Sequence, residues 1–205
     1  SNILLKKNEP VSIVHFVTNR CNARCSFCFI DFDDPKTFTK ELSLNEIDLL
    51  TKNLGKSLLN VNLTGGEPFA RKDLVDIAKK YITNSTIQSL YITTNASLPD
   101  RIKNFAEQVY KFDSQVEQTF QISIDDLPEN HNKVRKIKNL FDSCIESYRV
   151  LKNMANNINP VVSITVTHEN CDNIKNIFNY IHKDCGIDSI KCTLVRDEGV
   201  YKTPT

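Results

Sequence analysis

The sequence predicts an α/β fold, with parallel strands and helices alternating and the sheet curled into a partial, laterally open barrel. Three observations predict it. Six strand-like runs alternate with five helix-like runs along the 205 residues, the order that builds a parallel sheet with right-handed crossovers. Four of those strands are apolar on one side only and polar on the other. A cysteine-rich loop follows the first strand, where parallel α/β sheets gather ligands.

The strands are read at Ser12–Thr18, Leu59–Thr64, Ser89–Thr94, Thr119–Ile124, Val161–Thr167 and Ser189–Val195. Apolar residues at helical spacing mark the segments between them. Ile47, Leu50 and Leu54 mark the first helix, and Ala70, Leu74, Ile77 and Tyr81 the second. Ile102, Phe105, Val109 and Phe112 mark the third. A stripe from Ile137 through Leu140, Phe141, Cys144 and Ile145 to Tyr148 marks the fourth. Ile174, Ile177, Phe178 and Ile181 mark the fifth. Phe32–Glu41 reads as a loop covering the cysteines.

Alternation within the strands says more. Leu59, Val61 and Leu63 alternate with Asn60, Asn62 and Thr64; Leu90 and Ile92 with Tyr91, Thr93 and Asn95. Phe120, Ile122 and Ile124 alternate with Gln121, Ser123 and Asp125; Val162, Ile164 and Val166 with Ser163, Thr165 and Thr167. Side chains two apart share a face. A doubly wound sheet is apolar on both faces, and a closed barrel fills its interior with branched apolar side chains. A polar inner wall fits an open barrel holding a polar ligand.

Composition excludes several classes. Hydrophobic content of 40% and charged content of 25% are those of a globular domain. A net charge of +1 gives no default nucleic-acid surface. No apolar run reaches membrane-span length, and no secretory pattern opens the chain. Seven cysteines, three of them crowded together, favour a reducing, cytoplasmic setting over a disulfide framework.

The crowded cysteines are Cys21, Cys25 and Cys28, spaced Cys-x3-Cys-x2-Cys. Such a loop can wrap three thiolates around a cubane cluster and leave one iron without a protein ligand, since full cysteine ligation takes four. The alternative is structural zinc, which usually takes two close pairs of ligands. No second pair stands here; His15, His131, His168 and His182 are scattered singly. The second strand ends in Thr64-Gly65-Gly66-Glu67-Pro68. Paired glycines let backbone approach a ligand closely. The turn is either such a cradle or a plain strand-to-helix turn with a surface acid.

The cysteine triplet, with Phe27 before its last member, and the Gly65–Pro68 turn after the next strand together resemble the radical S-adenosylmethionine (radical SAM) superfamily. The resemblance runs from about Val11 to Val195. It implies a partial (β/α)6 barrel of TIM type. It implies a 4Fe–4S cluster on Cys21, Cys25 and Cys28, whose remaining iron is chelated by the amino and carboxylate groups of SAM. Gly65, Gly66, Glu67 and Pro68 would bind that amino group, and the backbone around Phe27 would touch adenine. Ser123 and Asp125 stand where members often bind the ribose hydroxyls, or else they cap their own strand. Ser123-Ile124-Asp125-Asp126 with His131 to Arg135 resembles the SPASM/twitch branch, which includes peptide-modifying and sulfatase-maturing enzymes. There an arginine at the place of Arg135 meets the SAM carboxylate; the other reading puts Arg135 in a solvated basic run. That branch often has Gly at the place of Asp126 and Asp at the place of Asn132. Thr94 and Asn95 line the same end and either help hold SAM or cap the strand.

The resemblance implies an enzyme that cleaves SAM reductively to a 5'-deoxyadenosyl radical, which abstracts hydrogen from a substrate. No side chain is assigned as catalytic acid or base. The substrate is a peptide, or a small molecule in cofactor biosynthesis, and the electron donor a protein such as flavodoxin or ferredoxin. Rival readings are an idle zinc- or cluster-binding barrel that docks a partner, and a simple electron carrier. Residues 1–205 read as one core domain, either minimal or lacking a C-terminal portion. Cys144 and Cys192 read as buried small hydrophobes and His15 as a satisfied core residue. Val166 and Leu194 read as core, or as flanking adenine. Arg196-Asp-Glu-Gly199 reads as a loop at the barrel mouth, with Arg196 turned to SAM or substrate.

Overall fold

A computed structural model describes residues 9–38 and 41–196. Its strands are β1 (Ser12–Thr18), β2 (Asn60–Gly65), β3 (Ser89–Thr94), β4 (Glu117–Ser123), β5 (Ile158–Val166) and β6 (Ile190–Leu194). They form one sheet in that order, every neighbour parallel. Strictly sequential winding keeps all crossovers on one side, so helices cover one face and leave the other as an interior. β1 and β6 do not pair, so the barrel is open at its side.

The crossovers carry α1 (Leu44–Asn53), α2 (Leu74–Asn84), α3 (Pro99–Phe112), α4 (Pro128–Arg135), α5 (Leu140–Lys152) and α6 (Ile174–Asn179). α6 continues into a π-turn at Tyr180–Asp184. α1 starts with a capping box: Ser43 Oγ accepts from Glu46 N, and the Glu46 carboxylate accepts from Ser43 N. The helix-facing side of the sheet is the core. Val61, Leu63, Leu90, Ile92, Phe120, Ile122, Val162 and Ile164 are all fully buried there. Phe69, Phe105 and Phe120 interlock at its centre, with ring centroids 5.6 to 6.4 Å apart. β1 reverses the polarity of the interior. Val14 and Phe16 are in register with Asn62 and Thr64, yet stand 47% and 37% exposed beside the lateral opening.

Four expectations change. The stripe read from Ile137 becomes helical only at Leu140, where α5 starts; Ile137 lies in the turn before it, in which Lys136 and Asn139 take left-handed φ of 56° and 57°, and a separate unread helix, α4, precedes that turn. α4 escaped periodicity because it buries only His131 and Arg135, a polar pair. Ala70 belongs to a 3-10 turn before α2. Phe112 and Phe178 are exposed at helix surfaces. Cys192 is exposed too, and Leu194 is 74% exposed: β6 is an edge strand, and no helix among the described residues covers its outer side. Cys144 and His15 are buried as read, His15 Nδ1 lying 3.0 Å from the Tyr81 hydroxyl. Residues 197–199 of the tail lie outside the described residues.

Candidate active site

The two sequence motifs are locked together at the strand ends. The β1 ladder slips register between Phe16 and Thr18, turning the chain into the cysteine loop. Gly66 N donates to Thr18 O at 2.7 Å, and Glu67 N to Arg20 O at 2.8 Å. A Cβ on Gly65 would lie 2.1 Å from Thr18 O, and one on Gly66 2.2 Å from Arg20 O. Gly65 also holds φ of +124°, which side chains disfavour. The glycines therefore serve the docking of one loop on the other.

Glu67 is turned inward, fully buried. Its Oε1 accepts from Thr94 Oγ1 at 2.7 Å and Phe69 N at 3.1 Å, and its Oε2 from Asn95 N at 2.7 Å. Burial pushes its carboxyl up, opposed by those donors. The side chain ties the end of β2 to the end of β3. Pro68 is buried with it.

Cys21, Cys25 and Cys28 are free and partly buried. Backbone N–H groups point at two of the sulfurs, Ala23 N at Cys21 Sγ (3.3 Å) and Ile30 N at Cys28 Sγ (3.5 Å). Asn95 Nδ2 lies 3.8 Å from Cys21 Sγ. Arg24 N donates to Arg135 O at 3.2 Å and pins the loop to α4. Burial pushes the thiols up, Cys21 to about 11. Metal binding reverses that balance by taking the thiolate. Among the described residues, no three His, Cys, Asp or Glu side chains converge tightly enough for a single ion. Three thiols on one loop, two of them met by backbone N–H groups, form a donor set of the kind that holds an iron–sulfur cluster.

A cavity of about 440 Å³ opens beside the thiols and runs from the strand ends into the barrel. All three cysteines border it, as do Phe27, Gly65, Gly66, Thr94, Asn95, Ser123 and Arg135 of the expected residues. Glu67, Pro68 and Asp125 lie behind the wall instead. The polar faces read from alternation supply Asn62, Thr93, Gln121 and Ser163. Asn62 Oδ1 is buried without a hydrogen-bond partner, so the wall lacks a donor that a bound ligand can bring. Leu194 and Arg196 stand at the rim, while Val166 does not border the cavity. Lys191 and Thr193 went unread; they alternate with Ile190, Cys192 and Leu194, and the same period of two finds them.

Arg135 is buried, not solvated. Its Nε donates to Asp125 Oδ2 at 2.7 Å, and its guanidinium carbon lies 5.9 Å from the Phe27 ring centroid. Asp125 Oδ1 also accepts from Thr165 N at 3.1 Å. Burial raises the Asp125 carboxyl, but the Arg135 guanidinium outweighs it and holds the group low. His131 Nδ1 accepts from Asp125 N at 3.2 Å. Burial, with Arg135 beside it, drives that imidazole down to about 3 and keeps it neutral. Asp125 is thus the anchor of Arg135, whose terminal N–H groups remain for the cavity.

Fold and site together define an open-barrel protein with a three-thiol loop and a polar ligand cavity at the strand ends. The model of the Radical SAM superfamily matches residues 16–181, and the chain belongs to that family. With the family come its cofactors, a 4Fe–4S cluster and SAM. The GTP 3',8-cyclase of Clostridium perfringens (strain SM101 / Type A) is 28% identical over 172 residues, 82% of this chain and 50% of that protein. The sporulation killing factor maturation protein SkfB of Bacillus subtilis (strain 168) is 28% identical over 173 residues, 82% of this chain and 38% of that one. Among solved structures, anSMEcpe with bound AdoMet superposes with a TM-score of 0.69 at 18% identity, covering 91% of this chain and 52% of that one. The same protein with AdoMet and a peptide superposes at 0.66 and 16% identity, covering 90% and 51%. These structural likenesses speak for the fold, a partial TIM-type barrel. The chain spans about half the length of the first curated relatives it matches.

Proposed function

We propose that this chain is the core of a radical SAM enzyme that modifies a peptide. Cys21, Cys25 and Cys28 would hold the cluster, which in its reduced form would supply the electron for reductive cleavage of SAM and so for hydrogen abstraction from the substrate. The protein's own part is placement. Arg135, aimed by Asp125, offers paired donors to the SAM carboxylate. The turn at Gly65 and Gly66, with Asn95 and Thr94, borders the amino-acid end of SAM, and Ser123 the ribose. Phe27 presents its backbone to adenine. The polar interior receives the substrate.

The observation that carries the SAM reading is one continuous cavity joining the three thiols, Arg135 and the polar strand faces. The peptide reading is supported by the maturation protein among the relatives and by the pattern from Ser123 to Arg135. A small-molecule substrate is the second reading, favoured by the likeness to GTP 3',8-cyclase. Flavodoxin or ferredoxin would deliver the electron on the outer side of the cysteine loop, where Arg24 and Lys136 flank Cys25 and Cys28. A cytoplasmic, reducing setting suits those thiols; no helix among the described residues is long and apolar enough to cross a membrane. The test is anaerobic reconstitution, reduction with dithionite and addition of SAM. Methionine and 5'-deoxyadenosine form with the native chain and not with Cys25→Ala. An intact iron cluster that leaves SAM uncleaved would refute the enzyme reading.

A further inference from the structure

Inside the barrel, the floor of the cavity carries side chains that a nucleoside cofactor at the strand ends does not engage. Lys191, on β6, donates from Nζ to the Tyr91 hydroxyl at 2.6 Å. That hydroxyl donates to Gln121 Oε1 at 2.8 Å. The Lys191 ammonium also lies 5.0 Å from the Tyr91 ring centroid. Lysine, tyrosine and glutamine come from β6, β3 and β4, so the bonded row crosses the interior. Ser163 is the register partner of Lys191, and Asn62, with its unpartnered oxygen, that of Tyr91.

An ammonium has three donors, and one is used here. Gln121 accepts through its oxygen, and its amide N–H groups have no hydrogen-bond partner among the described residues. No Asp or Glu is among the described residues that border this cavity. Arg135 already has its counter-charge in Asp125; among the described residues no carboxylate pairs with Lys191. The one carboxylate that SAM brings is assigned to Arg135, which leaves it unavailable to Lys191. An unbalanced cation in a wall of amides and hydroxyls focuses its field on a ligand of opposite sign.

We propose that this floor is an anion subsite, in which Lys191, positioned by Tyr91 and Gln121, takes a carboxylate or phosphate group of the substrate. The assignment of its occupant as substrate rests on the radical SAM reading; the anion chemistry does not. A carboxylate belongs to an acidic peptide residue or chain end, a phosphate to a small phosphorylated molecule.

The test uses the full chain, reconstituted with its cluster and SAM, at matched ionic strength. Glutarate, inorganic phosphate and the neutral glutaramide are the probes. Lysine acetylation is followed residue by residue by mass spectrometry. Glutarate or phosphate slows acetylation of Lys191 at least about threefold, while the exposed Lys133 and Lys175 change little. Protection by glutarate alone identifies a carboxylate site, and by phosphate alone a phosphate site. Absence of protection by both, or equal protection by glutaramide, overturns the proposal. Calorimetry then measures the protecting anion on variants. Lys191→Met weakens it at least about tenfold and Lys191→Arg by much less, with SAM affinity unchanged in both. Equal affinity in Lys191→Met also overturns it. A native protein that fails to bind SAM but still shows protection sinks the SAM reading and leaves the anion site standing.

Discussion

Glu67 and Asp125 are both carboxylates at the strand ends, and both work one step behind the cavity wall. Glu67 gathers donors from Phe69, Thr94 and Asn95 and so fixes the two glycines against the cysteine loop. Gly66→Ala drives a methyl to within 2.2 Å of Arg20 O, a backbone atom that cannot step aside without moving the loop. The predicted outcome is a folded protein that retains less than about half its iron after reconstitution, measured by iron and sulfide analysis. Asp125 does for Arg135 what Glu67 does for the turn. Asp125→Asn leaves a buried guanidinium without its counter-charge, which costs about 3–5 kcal/mol in urea unfolding. SAM affinity falls with it, whereas Asp126→Asn, beside it but outside the ion pair, leaves SAM affinity unchanged.

The apolar periods that made strands and helices legible are the ones that build the core. Phe120 is an example: read on the apolar, helix-facing side of its strand, it stands between Phe69 and Phe105 with no exposure. Phe120→Ala destabilises by about 3–5 kcal/mol in denaturant unfolding, with the cluster-binding stoichiometry retained. The polar wall was legible for the same reason, since Asn62, Gln121 and Ser163 alternate with buried neighbours. Where apolar period fails, so did the reading. α4 has no apolar stripe, and its buried residues are an arginine and a histidine satisfied by Asp125, just past the end of β4. β6 has the period, but no helix among the described residues covers it, and Cys192 and Leu194 are in phase yet exposed. The roles of Glu67 and Asp125 were illegible because a carboxylate near a site looks alike whether it faces the ligand or supports the residue that does. Only the partners' geometry separates the two.

Taken whole, the molecule is a sheet wound once, with helices outside and a polar cavity within, and part of its acid sensitivity comes from His15, in the core outside that cavity. Burial, helped by Arg71, lowers His15 to about 4 from its ordinary 6.5. The unfolded chain therefore takes up a proton at His15 as pH drops below about 6.5, while the folded chain does not until about 4. The contribution of His15 to stability is complete above that window and declines through it. Urea midpoints fall between pH 6.5 and 4, and the fall is shallower in His15→Asn. The most direct test of the central claim, three cysteine ligands and an iron left for SAM, is electron paramagnetic resonance of the reduced, reconstituted chain. Addition of SAM labelled with ¹⁵N at its amino group shifts the cluster signal and adds a nitrogen coupling, and Arg135→Met weakens the SAM dependence of both. A cluster signal indifferent to SAM, or a chain that binds zinc and no iron, would contradict the account.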